Sequence, residues 1–191
     1  MSDLLELFNM GLAEFGARVR RVGADQWTAS TPCSEWDVRK LVDHVTDEQV
    51  WAPPLMAGHE LEPSAAIVES TKRALGDDRV AAWDTAALAS SRAFGEPGAL
   101  DRPVWLSRGA TPAMDYLNEM VFDLVLHSWD LGTAIGVTDP LPDDLVQYGL
   151  AAAEHMGGDL SFTGAFDAPV PVSVDASAEE RLVAVCGRRP R

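Results

Sequence analysis

The chain has 191 residues, 47% of them hydrophobic and 24% charged, an ordinary globular composition with room for one well-buried core and little for a second domain. Its formal charge of -15, with a basic cluster at Arg188, Arg189 and Arg191 in the tail, makes the surface repel phosphate backbones and argues against nucleic acid as a partner. No apolar run approaches the roughly 18 residues a membrane span needs, and Met1 to Gly16 carries acids and no basic leader, so a cytoplasmic protein with no membrane association is expected.

From Asp3 to Val22, residues Leu4, Leu7, Phe8, Leu12, Phe15 and Val19 recur at three- and four-residue steps, which predicts an amphipathic first helix. Thr28 to Ser34 reads as a loop pinned to the core by Trp27 and Trp36, with Asp37 among the residues able to cap the next helix. That second helix is expected from Asp37 to Trp51, ending where Pro53 and Pro54 interrupt it. The Ala-rich stretches Pro63 to Gly76 and Asp78 to Phe94 read as two segments of a third helical arm. Gly95 to Ala110, rich in glycine and proline, reads as a loop or short extended crossover. Thr111 and Pro112 open the strongest helical signal, which runs to about Ile135 and closes at Gly136. Pro142 to Met156 predicts another helix, Ser161 to Ser177 an irregular stretch, and Ala178 to Val185 a last short helix. The sum is an all-α four-helix bundle in one domain, residues 1–191, with 159–191 as a short irregular C-terminal tail.

Only four histidines are available for chemistry: His44, His59, His127 and His155. Asp123 and His127, spaced i to i+4 in the long helix, lie one turn apart on one face and can share an ion. Tyr116, Glu119 and Asp130 join the same stripe, so the pattern equally suits the solvent side of an amphipathic helix. His44 sits at the margin of the apolar face of the second helix, with Glu48 one turn on, a position that fits a bundle-mouth site or a half-exposed structural histidine. His59 and His155 fall at helix ends and read as exposed. Cys33 and Cys186 match no metal or redox spacing and read as free thiols, Cys33 as a loop anchor. No phosphate-binding glycine loop, nucleophile elbow or His-Glu-x-x-His motif is present.

Thr31-Pro32-Cys33-Ser34-Glu35-Trp36-Asp37-Val38 followed by Leu41-Val42-Asp43-His44-Val45, and Asp123-Leu124-Val125-Leu126-His127-Ser128-Trp129-Asp130-Leu131 followed by Ala134-Ile135-Gly136, resemble two helices of the DinB-like, mycothiol-dependent maleylpyruvate isomerase superfamily. The ending, with Pro169-Val170-Pro171-Val172, Arg181-Leu182 and Gly187-Arg188, resembles an actinobacterial branch of it, in keeping with only two lysines, Lys40 and Lys72, among fifteen basic residues. The resemblance implies a DinB-like four-helix bundle holding one divalent metal through His44, Asp123 and His127. Zinc is the expected ion, with nickel and iron fitting the same ligands. Two departures are visible. Aspartate stands at 123 where the isomerase has glutamate, and only residues 159–191 follow Gly158 where the isomerase carries a C-terminal domain, so maleylpyruvate isomerisation itself is not expected.

The activity so implied is a thiol transfer or thiol-assisted isomerisation in which mycothiol attacks a small electrophile. Glu48, Glu119 and Asp130 are the candidates for supporting the metal ligands or accepting a proton, with no ground in the sequence for choosing among them. The rival readings are a binding protein whose ion is structural or sensing, and a metal-free helical module that forms a homodimer through an apolar face.

Overall fold

The computed structural model describes residues 3–164 and 166–191. Four helices form the bundle: α1 (Leu4–Val19), α2 (Val38–Met56), α4 (Arg79–Phe94) and α5 (Ala113–Ala134). They close a ring in which α1 packs on α5, α5 on α2, α2 on α4 and α4 back on α1. The core between them is apolar and aromatic. Phe8 meets Phe94 edge-on at 5.0 Å, and Phe15 meets Trp83 at 4.7 Å. Helix α3 (Leu61–Leu75) lies outside against α2, while α6 (Asp143–His155) packs on α5 and α7 (Ala178–Val185) on α6.

Local chemistry sets the helix starts. The Asp37 carboxylate accepts from the Lys40 backbone N–H at 2.8 Å, and Asp78 accepts from Val80 and Ala81, so each satisfies orphan donors of a first turn. Ser177 and Glu180 do the same reciprocally at α7. Gly136, with φ 75°, follows α5 in the left-handed region as expected.

Three expectations are corrected. Helix α2 does not stop at Trp51 but continues through Pro53 and Pro54 to Met56, because Pro54, Leu55 and Met56 are buried and their packing outweighs the missing N–H donors of the final turn. The segments after it are two separate helices that both pack on α2 rather than one arm. The glycine- and proline-rich stretch forms a 3-10 turn (Ala99–Asp101) and an antiparallel hairpin, β1 (Pro103–Leu106) and β2 (Gly109–Pro112), with Val104 opposite Thr111 and both buried. A lone hairpin is marginal in water, and this one rests on α2 and α5.

The irregular tail packs on α6 through α7, and its own backbone bonds fold it onto α7; Ala165, within it, lies outside the described residues. Val170 N–H donates to Ala184 O at 2.9 Å, and Arg188 N–H to Val183 O at 2.9 Å. Gly187, at φ 80°, lets the chain turn here, and a Cβ on it would lie 2.6 Å from the Asp167 carbonyl oxygen. Gly187→Ala is therefore expected to lose about 2 kcal/mol or more, since it combines left-handed strain with a backbone clash. A fall of several degrees in melting temperature with unchanged far-UV ellipticity is the expected readout; no shift would show the tail is not seated this way. Among the described residues no helix is long and apolar enough to cross a membrane.

Candidate metal centre

Leu41 and Val45 anchor α2 in the core and leave His44 at the bundle's edge, its side chain 32% exposed. The two residues from α5 project from the most buried helix of the fold towards the same point. His127 Nε2 lies 3.3 Å from Asp123 Oδ1, and His44 Nε2 lies 3.9 Å from Asp123 Oδ2. One ligand atom from each of the three falls within 4.8 Å of the others, and no other such group occurs among the described residues. The imidazoles meet nearly edge-on, 82° between planes and 5.5 Å between centroids.

Trp36 roofs the site, its ring 4.5 Å from that of His44 and 5.5 Å from that of His127. The loop beneath it is braced through Thr31. The Thr31 backbone N–H donates to Trp36 O at 3.2 Å, and its hydroxyl accepts from Cys33 N–H at 3.2 Å and lies 2.9 Å from Trp36 O. The expectation that the tryptophans pin this loop holds, with Trp27 also packed on the core and facing Arg79.

Within the polar stripe of α5, Tyr116, His127 and Asp130 do not face solvent. Tyr116 is 4% exposed, His127 5% and Asp130 0%. Asp130 Oδ2 lies 3.0 Å from His127 Nδ1, which assigns the proton of a neutral ring to Nδ1 and leaves Nε2 as the free lone pair. Arg188 grips the same carboxylate, so this arginine is a buried partner of α5 and not part of a solvated basic cluster. Of the three supporting candidates, then, Asp130 touches a site histidine. Glu119 is exposed and paired with Arg108 of the hairpin turn. Glu48 is half-buried, and burial, then the Asp123 charge, raises its carboxyl above the usual range.

The residues fit a divalent ion. Asp123 Oδ2 is buried without a hydrogen-bond partner, an arrangement a bound cation would satisfy, and two imidazoles with one carboxylate are an apt donor set for an ion that keeps a position open. The three side chains sit in the wall of a cavity of about 700 Å³ whose other walls include Cys33, Trp36, Phe122, Leu126 and Phe166. Cys33 and Cys186 are both free, and burial pushes the Cys33 thiol up despite the opposing charge of Arg188, in keeping with a loop anchor and not a thiolate nucleophile. His59 and His155 are exposed, as expected.

Burial disfavours charge on His127, but the Asp123 carboxylate and hydrogen bonds to Asp123 and Asp130 outweigh it and push the ring up to about 9. Burial likewise opposes ionisation of Asp123, and the two histidines overcome it, holding the carboxyl well below its usual range. The metal-free protein thus carries a proton on His127 at neutral pH that an ion must displace. Zinc affinity is expected to rise about tenfold per pH unit from pH 7 towards 9, with about one proton released per ion, measurable by titration in buffers of different ionisation enthalpy. For the metal-free fold the sign is opposite. The stabilisation from the raised His127 is complete below pH ~6.5 and is lost as pH rises through about 9, which melting temperatures across that window would show.

A helical bundle that presents two histidines and one carboxylate in the wall of an open cavity defines the class, a DinB-like fold with a candidate metal centre. The chain belongs to the family described as the mycothiol maleylpyruvate isomerase N-terminal domain, whose model matches residues 9–132. That span contains His44, Asp123, His127 and Asp130 and ends before the tail. Two uncharacterised proteins from strains of Mycobacterium tuberculosis are each 32% identical over 184 residues, covering 93% of this chain and 93% of their own. The crystal structure of the mycothiol-dependent maleylpyruvate isomerase shares the fold, with a TM-score of 0.58 and 16% identity over 78% of this chain and 67% of that one. A histidine-to-alanine mutant of that isomerase matches with the same TM-score and 15% identity.

Proposed function

We propose that this protein holds one divalent ion, zinc before nickel or iron, on His44, Asp123 and His127, and uses it to direct mycothiol or a similar small thiol at a small electrophile. The observation that carries this reading is the convergence of three ligand atoms within 4.8 Å in the wall of a cavity large enough for a small molecule. Family membership supports the choice of thiol. Two neutral imidazoles and one carboxylate leave a divalent ion a net positive charge, which favours the ionised form of an incoming thiol at neutral pH.

The chain's own side chains do the rest. Asp130 keeps the Nδ1 proton on His127, so that Nε2 stays unprotonated in the loaded site. Trp36, Phe122, Leu126 and Phe166 give the cavity apolar and aromatic walls that exclude water from the electrophile. The reaction class is thiol addition to an activated carbon: the sulfur–carbon bond forms, a π bond or leaving-group bond breaks, and the thiol proton leaves with solvent or ends on the product. Where the addition reverses after rotation, the net result is isomerisation.

The test is turnover of a panel of electrophiles by zinc-loaded protein with mycothiol, beside His44→Ala. The variant is expected to lose at least about tenfold in rate, as loss of a metal-site group does. Equal turnover by both proteins would remove the metal from the chemistry.

A further inference from the structure

The three candidate ligands come from α2 and α5, yet the orientation of one of them is fixed from the far end of the chain. Arg188 takes the Asp130 carboxylate with both arms of its fork, Nε to Oδ1 at 3.3 Å and Nη2 to Oδ2 at 3.0 Å. Oδ2 is the same oxygen that faces His127 Nδ1 at 3.0 Å. The third arm, Nη1, donates to Cys186 O at 2.8 Å, and the guanidinium lies 5.6 Å from the Phe166 ring. Asp130 is 0% exposed and Arg188 6%, so the pair is shut away from bulk water, and Arg188 lines the cavity that His127 also lines.

A buried ion pair is an expensive way to tie down a tail, because an apolar contact of the same volume would hold it as well or better. Its position is what distinguishes it. It stands directly behind a candidate ligand, where a carboxylate of fixed orientation sets both the tautomer and the aim of the ring. A bidentate guanidinium is the group that fixes a carboxylate in its plane; a lysine ammonium, a point charge, does not. The family match ends at residue 132, so the segment that contributes Arg188 lies outside it.

We propose that Arg188 is a positioning residue of the metal centre, reaching from the tail to hold both oxygens of Asp130 so that His127 Nε2 stays aimed at the space it shares with Asp123 and His44. The inference rests on the reading that these three residues hold an ion. The tail is then part of the centre and not a covering over it, and seating the tail and loading the metal favour each other.

Arg191 supplies the control. It comes from the same tail and reaches the same helix, Nε donating to Thr133 Oγ1 at 2.9 Å and the guanidinium 5.4 Å from the Trp129 ring, but no contact joins it to Asp130. Zinc affinity is measured by competition with a chromophoric chelator well below the unfolding temperature, together with the visible spectrum of the cobalt-loaded protein. Arg188→Ala is expected to bind zinc about tenfold more weakly and to shift the cobalt bands, the lower end of the range for groups that support a metal ligand. Arg188→Lys, which keeps the charge and the packing of the stem, is expected to lose at least about threefold, and it carries the test if the alanine variant does not fold. Arg191→Ala is expected to stay within about twofold of the parent while melting lower, as a purely structural anchor would.

Equal zinc affinity and an unchanged cobalt spectrum in both Arg188 variants would overturn the proposal, as would an equal loss in Arg191→Ala. No zinc binding by the parent protein would overturn the metal reading and this inference together, so the two failures are distinguishable.

Discussion

His127→Ala is expected to weaken zinc binding by on the order of a thousandfold, and His44→Ala by on the order of a hundredfold. Structural zinc sites with four protein ligands bind with apparent free energies of about 10–16 kcal/mol, so an equal share per ligand is about 2.5–4 kcal/mol, or two to three decades in affinity. The two histidines differ because of where they sit. His44 is 32% exposed at the bundle's edge, and water can take its place on the ion. His127 is 5% exposed between Asp123 and Asp130, where water enters less readily and where its loss leaves Asp130 Oδ2 with Arg188 as its remaining partner. Chelator competition on folded variants measures both, and equal, small losses would show that the ion binds elsewhere.

Asp130→Ala is expected to produce the largest loss of stability of any single substitution at or around the site. It leaves the Arg188 guanidinium buried with its main partner gone, and breaking one side of a buried ion pair costs about 3–5 kcal/mol. For a domain of this size that is a fall of roughly 10 °C in melting temperature. His127 loses its Nδ1 partner in the same step, so metal affinity falls as well. Glu119→Ala provides the contrast. Its pair with Arg108 is about half exposed on both sides, and an exposed pair contributes about 1 kcal/mol at most. Thermal denaturation of the two variants side by side measures the difference; similar small shifts would mean that the Asp130–Arg188 pair is solvated.

The helices are legible in the sequence because apolar spacing of three and four residues marks the face that each buries. The α7 limits, Ala178 and Val185, can be read directly, as can the glycine stop after α5. The hairpin cannot, since its strands are four residues long, interrupted by glycine and proline, and paired only because α2 and α5 lie beneath them. The Pro53-Pro54 pair reads as a stop because the local rule is strong, and burial of the following residues overrides it.

Two of the three candidate ligands are legible from spacing, which puts Asp123 and His127 on one face. Joining His44 to them takes the family resemblance, because nothing in the periodicity of α2 says which helix it will face. Asp130 is visible only as one of three equal candidates, and a polar stripe on α5 reads as a wet surface unless its partners are known. Those partners lie far away in sequence. Arg188 reads as part of a charged tail because arginines near a terminus are usually solvated, and only the seating of 166–191 against the bundle reveals it as the counter-ion of Asp130.

The most direct measurement is X-ray absorption at the zinc edge of protein loaded with one equivalent of metal in the absence of added thiol. The expected spectrum shows two imidazole nitrogens at about 2.0–2.1 Å and carboxylate oxygen at about 2.0–2.2 Å, with a sulfur scatterer at about 2.3 Å appearing only when mycothiol is added. A spectrum without imidazole scattering, or with sulfur bound before any thiol is present, would contradict a centre built from His44, Asp123 and His127.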